Sequence, residues 1–244
     1  MSVADGAVAS RDQVLASIAE DQRFVLATHE HPDGDALGSL VAMQELLSGL
    51  GKDSLMFVSP GDLPLPSEYS MFLLESAIHE PPADIATRTV VFLDCGNIDR
   101  NSAAVLRDGA RLLNIDHHHD NTRFGTINHV VADASCTAEV VWDLMHGLGV
   151  APRGAVADAL YIGLVTDTGR FMYENTGQTA HLMAADLIDA GVQVHEIYRR
   201  VYEGMPYGKL ALLARGLSNV ERYDDGRLTM SALSVSDFND SQAE

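Results

Sequence analysis

The stretch FVLATHEHPDGD, residues 24–35, begins with a short apolar run and ends in a polar loop. A helical pattern follows directly, because apolar residues recur at helical spacing between Asp35 and Leu50 and Gly51 is placed to end the helix. A short apolar strand, a polar loop and a helix in this order are typical of the first half of a β-α-β unit. The stretch therefore predicts an α/β fold built on a parallel sheet.

The flanking sequence repeats this alternation. Ser10 and Gln13 form a capping-box pattern at the start of a helix that we predict to reach Glu20. A second helix is predicted over Ser102–Arg107, and three further apolar runs predict strands at Leu55–Val58, Thr89–Leu93 and Arg111–Ile115. We therefore expect a mostly parallel, doubly wound sheet flanked by helices.

The second half of the chain changes character. The next segments predict helices at Thr137–Leu148, Ala155–Thr166, Thr179–Ala190 and Tyr207–Val220. Asp225-Gly226 then lies between two strand-like runs, which is the pattern of a two-residue hairpin turn. We expect a first domain over residues 1–195, a linker helix over 196–217, and the start of a smaller α/β domain over 218–244.

Composition limits the classes of partner. The chain has 244 residues, with 16 basic and 35 acidic side chains and a formal net charge of −19. A protein that grips long nucleic acid needs a basic face, so we expect no long nucleic-acid partner. A small phosphorylated ligand remains compatible if metal ions supply the positive charge. The sequence also lacks an apolar run long enough for a membrane span and lacks a signal peptide, and its two cysteines suit a reduced cytoplasmic setting.

Four apolar runs end in ionisable residues. These residues are His29, Asp94, Asp116 and Asp167, and further histidines or aspartates follow the first and third of them. In open α/β sheets, ligands bind in the crevice at the carboxyl ends of the strands. The sequence therefore predicts a site rich in carboxylate and imidazole groups at that edge.

Four carboxylates dominate this predicted site: Asp33, Asp35, Asp94 and Asp167. Crowded together they would repel each other, and two divalent cations would balance their charge. Carboxylate and imidazole ligands without thiolate favour Mn²⁺, with Mg²⁺, Fe²⁺ and Co²⁺ as alternatives. A pair of such ions activates water for phosphoester hydrolysis, which is the reaction class we expect.

Each feature also has a plainer interpretation. Asp35 could cap its own helix, and Asp33-Gly34 could be a simple turn. The histidines at 117–119 could form a solvated loop, and Cys95 is better explained as a small buried residue than as a nucleophile. The joint placement of the residues, rather than any one of them, favours the metal site.

Taken together, these motifs resemble the DHH phosphoesterases. His29-x-His31-Pro32-Asp33-Gly34-Asp35 is similar to the first motif of that family, and Asp94 after its apolar run is similar to the second. Asp116-His117-His118 resembles the motif that names the family, and Asp167 in the run 166–169 resembles the fourth. The four motifs occur in order between about residues 20 and 175.

The resemblance implies a role for each matching residue. One ion would be held by His29, Asp33 and Asp94. The other would be held by Asp35, Asp94, His117 and Asp167, so that Asp94 bridges the two. His118 would face the substrate phosphate, Asp116 would orient a neighbouring histidine, and Arg123 would approach a phosphate.

The segments at 121–125 and 135–139 further resemble the nanoRNase (NrnA-like) branch. That branch implies hydrolysis of short oligoribonucleotides, of linear or cyclic dinucleotides and of 3′-phosphoadenosine 5′-phosphate. The Gly-rich GGGH segment of the family's second domain, called DHHA1, does not occur in this sequence. We therefore expect a truncated DHHA1 domain, with a complete metal centre but incomplete nucleotide selection.

Two other functions remain open. A manganese inorganic pyrophosphatase would share the motifs, but in that group a Lys/Arg cluster from the second domain clamps pyrophosphate. A non-catalytic nucleotide-binding domain would keep the fold and lose a metal ligand, whereas this sequence retains each one that the resemblance implies. The sequence leaves open whether the protein forms a homodimer.

Overall fold

Five parallel strands form the central sheet of the computed structural model, which describes residues 8–72 and 74–242. In chain order the strands are β1 (Arg23–Ala27), β2 (Asp53–Met56), β3 (Thr89–Leu93), β4 (Arg111–Asp116) and β5 (Ile127–Val130). Their order across the sheet is β2-β1-β3-β4-β5. The predicted α/β class with a mostly parallel sheet is confirmed.

Helices surround this sheet. They are α1 (Arg11–Glu20), α2 (Gly34–Gly49), α3 (Thr137–Gly147), α4 (Ala155–Asp167), α5 (Gln178–Asp189) and α6 (Val194–Tyr198). The capping box at the start of α1 is present, with the Ser10 hydroxyl accepting from the backbone N–H of Gln13. Helix α2 contacts β1, β2 and β3 as well as α3 and α4, so it forms the centre of the core.

The chain divides into two units between Ile197 and Tyr198. The second unit contains α7 (Tyr207–Ser218), β6 (Glu221–Tyr223), β7 (Leu228–Met230) and α8 (Val235–Ser241). The domain identities predicted over 1–195, 196–217 and 218–244 stay predictions. Residues 1–7, 73 and 243–244 of those ranges lie outside the described residues.

The segment predicted as a helix at Ser102–Arg107 is helical, and its form is a short 3₁₀ helix, Ser102–Leu106. Two details of the sequence prediction are wrong. Strand β5 was not predicted, because its polar residues Asn128 and His129 are buried and break the apolar pattern. The hairpin loop has four residues, since Tyr223 pairs with Leu228.

Among the helices that the structure describes, none combines the length and the apolar character that a membrane crossing requires.

Candidate metal centre

The loops that follow β1, β3 and β4 meet at the carboxyl edge of the sheet. His29 comes two residues after β1, Asp94 directly follows β3, and His117 directly follows β4. The strand order reverses its direction between β1 and β3, and ligands of open α/β sheets bind at such a switch point. The fold therefore brings these side chains to the expected crevice.

Two helices deliver the remaining predicted ligands. Asp33 is the N-cap of α2, and Asp35 lies in the first turn of the same helix. Asp167 is the last residue of α4, directly after the segment predicted as a helix, so its carboxylate reaches the site from a helix rather than from the end of a strand. The four runs that predicted the site thus converge from three strands and one helix.

The first group of ligand atoms surrounds His29. Its Nε2 lies 3.4 Å from Asp94 Oδ2 and 4.0 Å from Asp33 Oδ1. His29 Nδ1 donates to the carbonyl oxygen of Glu30 at 2.7 Å, so Nε2 is the nitrogen that can ligate a metal. One ligand atom from each of His29, Asp33 and Asp94 falls within 4.8 Å of the other two.

The second group surrounds His117. Its Nε2 lies 3.7 Å from Asp167 Oδ2 and 3.7 Å from Asp94 Oδ1. Asp35, His117 and Asp167 offer ligand atoms that all lie within 4.8 Å of one another. Asp94 therefore lies between the two groups, with one carboxylate oxygen toward each.

Asp35 is held from a distant part of the chain. Its Oδ2 accepts from the backbone N–H of Thr137 at 2.7 Å, and its Oδ1 accepts from that of Ala138 at 2.8 Å. These two N–H groups belong to the first turn of α3, where unpaired donors and the helix dipole favour a negative charge. Asp35 therefore caps α3, while Asp33 caps α2 through the N–H groups of Asp35 and Ala36.

The crowded charges perturb one another strongly. Burial, with the negative charges of Asp94 and Asp167, raises the pKa of Asp35 well above its usual value. Burial also raises the pKa of Asp167 to about 6, although His117 opposes that shift. Burial disfavours the charge on Asp94, but contact with the His29 imidazole lowers the pKa of Asp94. Burial likewise disfavours charge on the imidazole, but Asp94 raises the pKa of His29 to about 9.

These shifts show a site with more negative charge than it can stabilise alone. A proton on His29 partly balances the charge in the metal-free protein. Oxygen and imidazole nitrogen are donors that divalent ions such as Mn²⁺ accept, and such an ion would replace that proton. The donor set therefore fits a divalent metal.

Asp116 and His118 form a separate pair beside the ligands. His118 Nδ1 donates to Asp116 Oδ1 at 2.8 Å, and Asp116 is fully buried. The hydrogen bond to Asp116 raises the pKa of His118 to about 9, against the opposing effect of burial. Asp94, Asp116, His117 and His118 also offer ligand atoms within 4.8 Å of one another.

Two supporting residues were not predicted as functional. Asn121 Nδ2 donates to Asp116 Oδ2 and to the carbonyl oxygen of Cys95, and Thr137 Oγ1 donates to Asp94 Oδ1. Both lie in the segments, 121–125 and 135–139, that resemble the nanoRNase branch. That resemblance was the available signal, but it does not say which carboxylate each residue holds.

Arg123 was predicted to approach a phosphate. The residue is exposed and has a positive φ of 54°. Its backbone N–H donates to Asn121 Oδ1 at 2.6 Å. It is not among the described residues that line the cleft, so a contact of Arg123 with phosphate stays a prediction.

An open cleft of about 570 Å³ lies at the site. Four of the six predicted ligands line it, whereas Asp35 and His117 are not among its lining residues. The described residues that line it include no lysine or arginine. They are His29, Glu30, Asp33, Asp94, Cys95, Gly96, Asn97, His118, Asp120, Thr122 and Asp167. A phosphorylated ligand would therefore need cations other than basic side chains of this cleft.

Residues 23–164 match the model of the DHH family, N-terminal domain, and this span is more than half of the chain. The chain belongs to the DHH family. The matched span contains the predicted ligands from His29 to His117, and Asp167 lies just beyond it. The predicted family is thus confirmed, whereas the truncated DHHA1 domain and the ligand roles in this DHH protein stay predictions.

Two of the relatives carry names that state an activity. A protein of Thermus thermophilus named a bifunctional oligoribonuclease and PAP phosphatase NrnA is 34% identical over 212 residues, 85% of this chain and 62% of the relative. A probable manganese-dependent inorganic pyrophosphatase of Streptococcus mutans is 29% identical over 183 residues, 71% of this chain and 57% of the relative. The DHH chain thus spans less than two thirds of either relative.

A solved structure shows the same fold. An exopolyphosphatase-related protein of Bacteroides fragilis superposes with a TM-score of 0.85 at 23% identity, over 96% of this chain and 72% of that one. At this identity the similarity shows the fold alone.

Proposed function

We propose that this DHH protein is a metal-dependent phosphoesterase that hydrolyses short oligoribonucleotides, dinucleotides and 3′-phosphoadenosine 5′-phosphate. The observation that carries the proposal is the position of Asp94, whose two carboxylate oxygens face two separate groups of ligand atoms. The name of the Thermus thermophilus relative supports the choice of substrates.

The proposed centre holds two divalent ions. His29, Asp33 and Asp94 would hold one, and Asp35, Asp94, His117 and Asp167 would hold the other. When bound, such a pair neutralises phosphate charge and makes a water molecule nucleophilic near neutral pH. Mn²⁺ is favoured by the mixed carboxylate and imidazole ligands, and the name of the Streptococcus mutans relative supports it.

His118 and Asp116 supply the proposed contact with the reacting phosphate. His118 lines the cleft, and in the metal-free protein its pKa is raised to about 9. Because Nδ1 donates to Asp116, Nε2 is the N–H that can donate to a phosphate oxygen. Asp116 fixes the orientation of the ring, so that this donor is in place before the reaction. Arg123 is proposed as a further phosphate contact.

In this proposal, the acidic character of the chain and of its cleft favours small substrates over long strands. The described cleft residues include no lysine or arginine, and the chain carries a net charge of −19. A long single strand would gain little from such a surface, because binding it requires basic side chains along its path. Pyrophosphate, with its high charge density, would also lack basic partners here.

A substrate panel with Mn²⁺ tests the proposal. We expect the purified protein to hydrolyse a diribonucleotide and 3′-phosphoadenosine 5′-phosphate faster than pyrophosphate. Asp94→Ala should lower these rates by more than about 100-fold, since even residues that only support metal ligands contribute about 10- to 100-fold. Asp108→Ala, which removes an exposed carboxylate outside the cleft, is the matched control.

The other outcomes identify the alternatives. Faster hydrolysis of pyrophosphate would identify an inorganic pyrophosphatase. A non-catalytic nucleotide-binding domain would bind a dinucleotide without Mn²⁺, would hydrolyse nothing, and would retain that binding in Asp94→Ala. Either result would contradict the proposed phosphoesterase.

The proposed setting is the cytoplasm. Cys95 and Cys136 are both buried and form no disulfide, and burial raises the pKa of both thiols. This supports a reduced compartment, because disulfides form chiefly in oxidising ones.

A further inference from the structure

Thr137 contacts the carboxylate that lies between the two groups of ligands. Its hydroxyl Oγ1 donates to Asp94 Oδ1 at 2.9 Å. Both side chains are buried, with exposed fractions of 0% for Thr137 and 3% for Asp94. The two residues are 43 positions apart in the chain, so the contact depends on the packing of α3 against the end of β3.

The same residue also contacts the second group. The backbone N–H of Thr137 donates to Asp35 Oδ2 at 2.7 Å, although Asp35 is 102 positions away. Thr137 is the first residue of α3, so its backbone is fixed by the helix. One residue therefore binds both the shared carboxylate and a carboxylate of the second group.

The shared carboxylate has a geometric requirement. Asp94 Oδ2 lies 3.4 Å from His29 Nε2, and Asp94 Oδ1 lies 3.7 Å from His117 Nε2. A rotation about the bond that carries the carboxylate would move both oxygens away from these directions. The hydroxyl of Thr137 can donate to only one oxygen, and a threonine side chain has few rotamers. The hydrogen bond therefore selects a single orientation of the Asp94 carboxylate.

We propose that Thr137 is a positioning residue of the metal centre, because its hydroxyl fixes the Asp94 carboxylate with one oxygen toward each group of ligands. This inference rests on the proposed metal-dependent function. It adds to that function a residue that is not a ligand but determines whether one carboxylate can serve two ions.

Matched variants separate positioning from stability. Thr137→Val removes the hydroxyl and keeps the shape, Thr137→Ala removes it without adding a buried methyl group, and Thr137→Ser keeps it. Thr89→Val is the control, because Thr89 is also buried and donates to an aspartate, Asp21 Oδ2, at 2.6 Å from the opposite end of β3.

Titration calorimetry with Mn²⁺ and electron paramagnetic resonance of the loaded protein test the inference. We expect Thr137→Val and Thr137→Ala to bind Mn²⁺ about 10- to 100-fold more weakly and to lose the signal of a spin-coupled ion pair. Thr137→Ser should restore both properties. Thr89→Val should bind Mn²⁺ like the wild type, even if its melting temperature falls.

The failure of this inference differs from the failure of the proposed function. If the wild type binds a coupled Mn²⁺ pair and both hydroxyl-free variants at 137 bind it equally well, the positioning role is refuted and the metal centre remains. If the wild type binds no Mn²⁺, the proposed function is refuted, and the role of Thr137 with it.

Discussion

At the scale of single residues, His29 is the place where a proton and a metal ion would compete for one nitrogen. The contact of its Nε2 with Asp94 raises the pKa of His29 to about 9, so the imidazole is protonated at neutral pH in the metal-free protein. Ligation requires the neutral imidazole. If His29 is a ligand as proposed, metal binding releases this proton.

The coupling predicts a pH dependence of Mn²⁺ binding. Between about pH 6.5 and 8.5, the affinity should rise by about tenfold per pH unit, because one proton leaves His29 for each ion bound at that group. Calorimetry in buffers of different ionisation enthalpy measures the released protons. A Mn²⁺ affinity that does not change over this range would contradict the assignment of His29 as a ligand.

In the metal-free protein, a rise in pH has the opposite effect on stability: the contribution of His29 to the fold decreases while the affinity for Mn²⁺ increases. A histidine whose pKa rises from 6.5 to about 9 on folding stabilises the fold below pH 6.5. That contribution is lost as the pH rises through about 9. Chelated protein should therefore become less stable over this window as the metal-loaded form becomes easier to make.

Sequence reasoning singled out side chains that converge in the structure, and their roles as ligands stay predictions, but it did not find the contacts that support them. The sequence did not distinguish the roles of Asp33 and Asp35. It left open the interpretation that Asp35 caps its own helix. In the structure Asp33 caps that helix, whereas Asp35 accepts from N–H groups more than 100 positions away. Such contacts depend on tertiary packing, which local spacing does not encode.

At the scale of elements, the loop between β1 and α2 carries two of the predicted ligands and is held by a neighbouring loop. Asp62 Oδ1 accepts from the backbone N–H of His31 at 2.9 Å, and Asp62 Oδ2 accepts from Ser102 Oγ at 2.8 Å. His31 has a positive φ of 52°, a conformation that costs free energy for a residue with a side chain. Asp62 therefore links the loops that follow β1, β2 and β3.

This link predicts the behaviour of a pair of variants. Asp62→Ala should weaken Mn²⁺ binding by about tenfold, as loss of a supporting contact does in other metal sites. His31→Gly in the Asp62→Ala background should restore part of the affinity, because glycine adopts a positive φ without strain. Calorimetric titration of the three proteins measures this, and equal affinities would show that Asp62 does not support the loop.

The packing of α2 against α4 depends on a glycine. A Cβ atom at Gly38 would lie 2.4 Å from the carbonyl oxygen of Ala159, a backbone atom that cannot easily move. Gly49 lies in the same helix and has no such neighbour within 4 Å. Alanine at these two positions should therefore have different effects on the free energy of unfolding.

Gly38→Ala should lower the free energy of unfolding by about 1 to 3 kcal/mol, because overpacking exceeds the gain in helix propensity. Gly49→Ala should leave it unchanged or raise it slightly. Urea unfolding followed by the fluorescence of Trp142, the only tryptophan of the chain, reports on the unit that contains both helices. A stabilised Gly38→Ala variant would show that the α2–α4 contact is looser than described.

Elements that bury a regular apolar pattern could be predicted from sequence. Strand β3 was predicted at its observed bounds, Thr89–Leu93, and all its residues are buried. Strand β5 was missed because Asn128 and His129 are polar but buried. Asn128 forms hydrogen bonds with the backbone of Gly125, three residues earlier, and His129 with that of Ala9, 120 positions away. Segment 102–106 forms a 3₁₀ helix that is capped by Asn101. The Asn101 side chain accepts from the N–H of Ala103 and donates to the carbonyl oxygen of Thr28.

At the scale of the whole molecule, acidic side chains are crowded together at a partly buried site, where their charges repel one another most strongly. The chain carries a net charge of −19, and four of its carboxylates converge in two adjacent groups of possible ligands, with two of the four buried. Removal of metal should leave this repulsion uncompensated. Divalent ions should therefore act as a stabilising ligand of the folded state.

Saturating Mn²⁺ should raise the melting temperature of the unit that contains Trp142 by about 5 to 10 °C relative to chelated protein. A ligand at about 100 times its Kd adds about 2.7 kcal/mol, and about 1 kcal/mol shifts the melting temperature of a domain of this size by about 2 to 4 °C. Asp94→Ala should show no such shift. An equal melting temperature with Mn²⁺ and with chelator would exclude a carboxylate cluster that depends on metal.

The central claim is that His29, Asp33, Asp35, Asp94, His117 and Asp167 together hold two divalent ions that share Asp94. Anomalous diffraction at the manganese edge from crystals grown with Mn²⁺ tests it directly. Two peaks about 3.5 to 4 Å apart, both in contact with the Asp94 carboxylate, are predicted. One peak, or peaks bound by other side chains, would contradict the account.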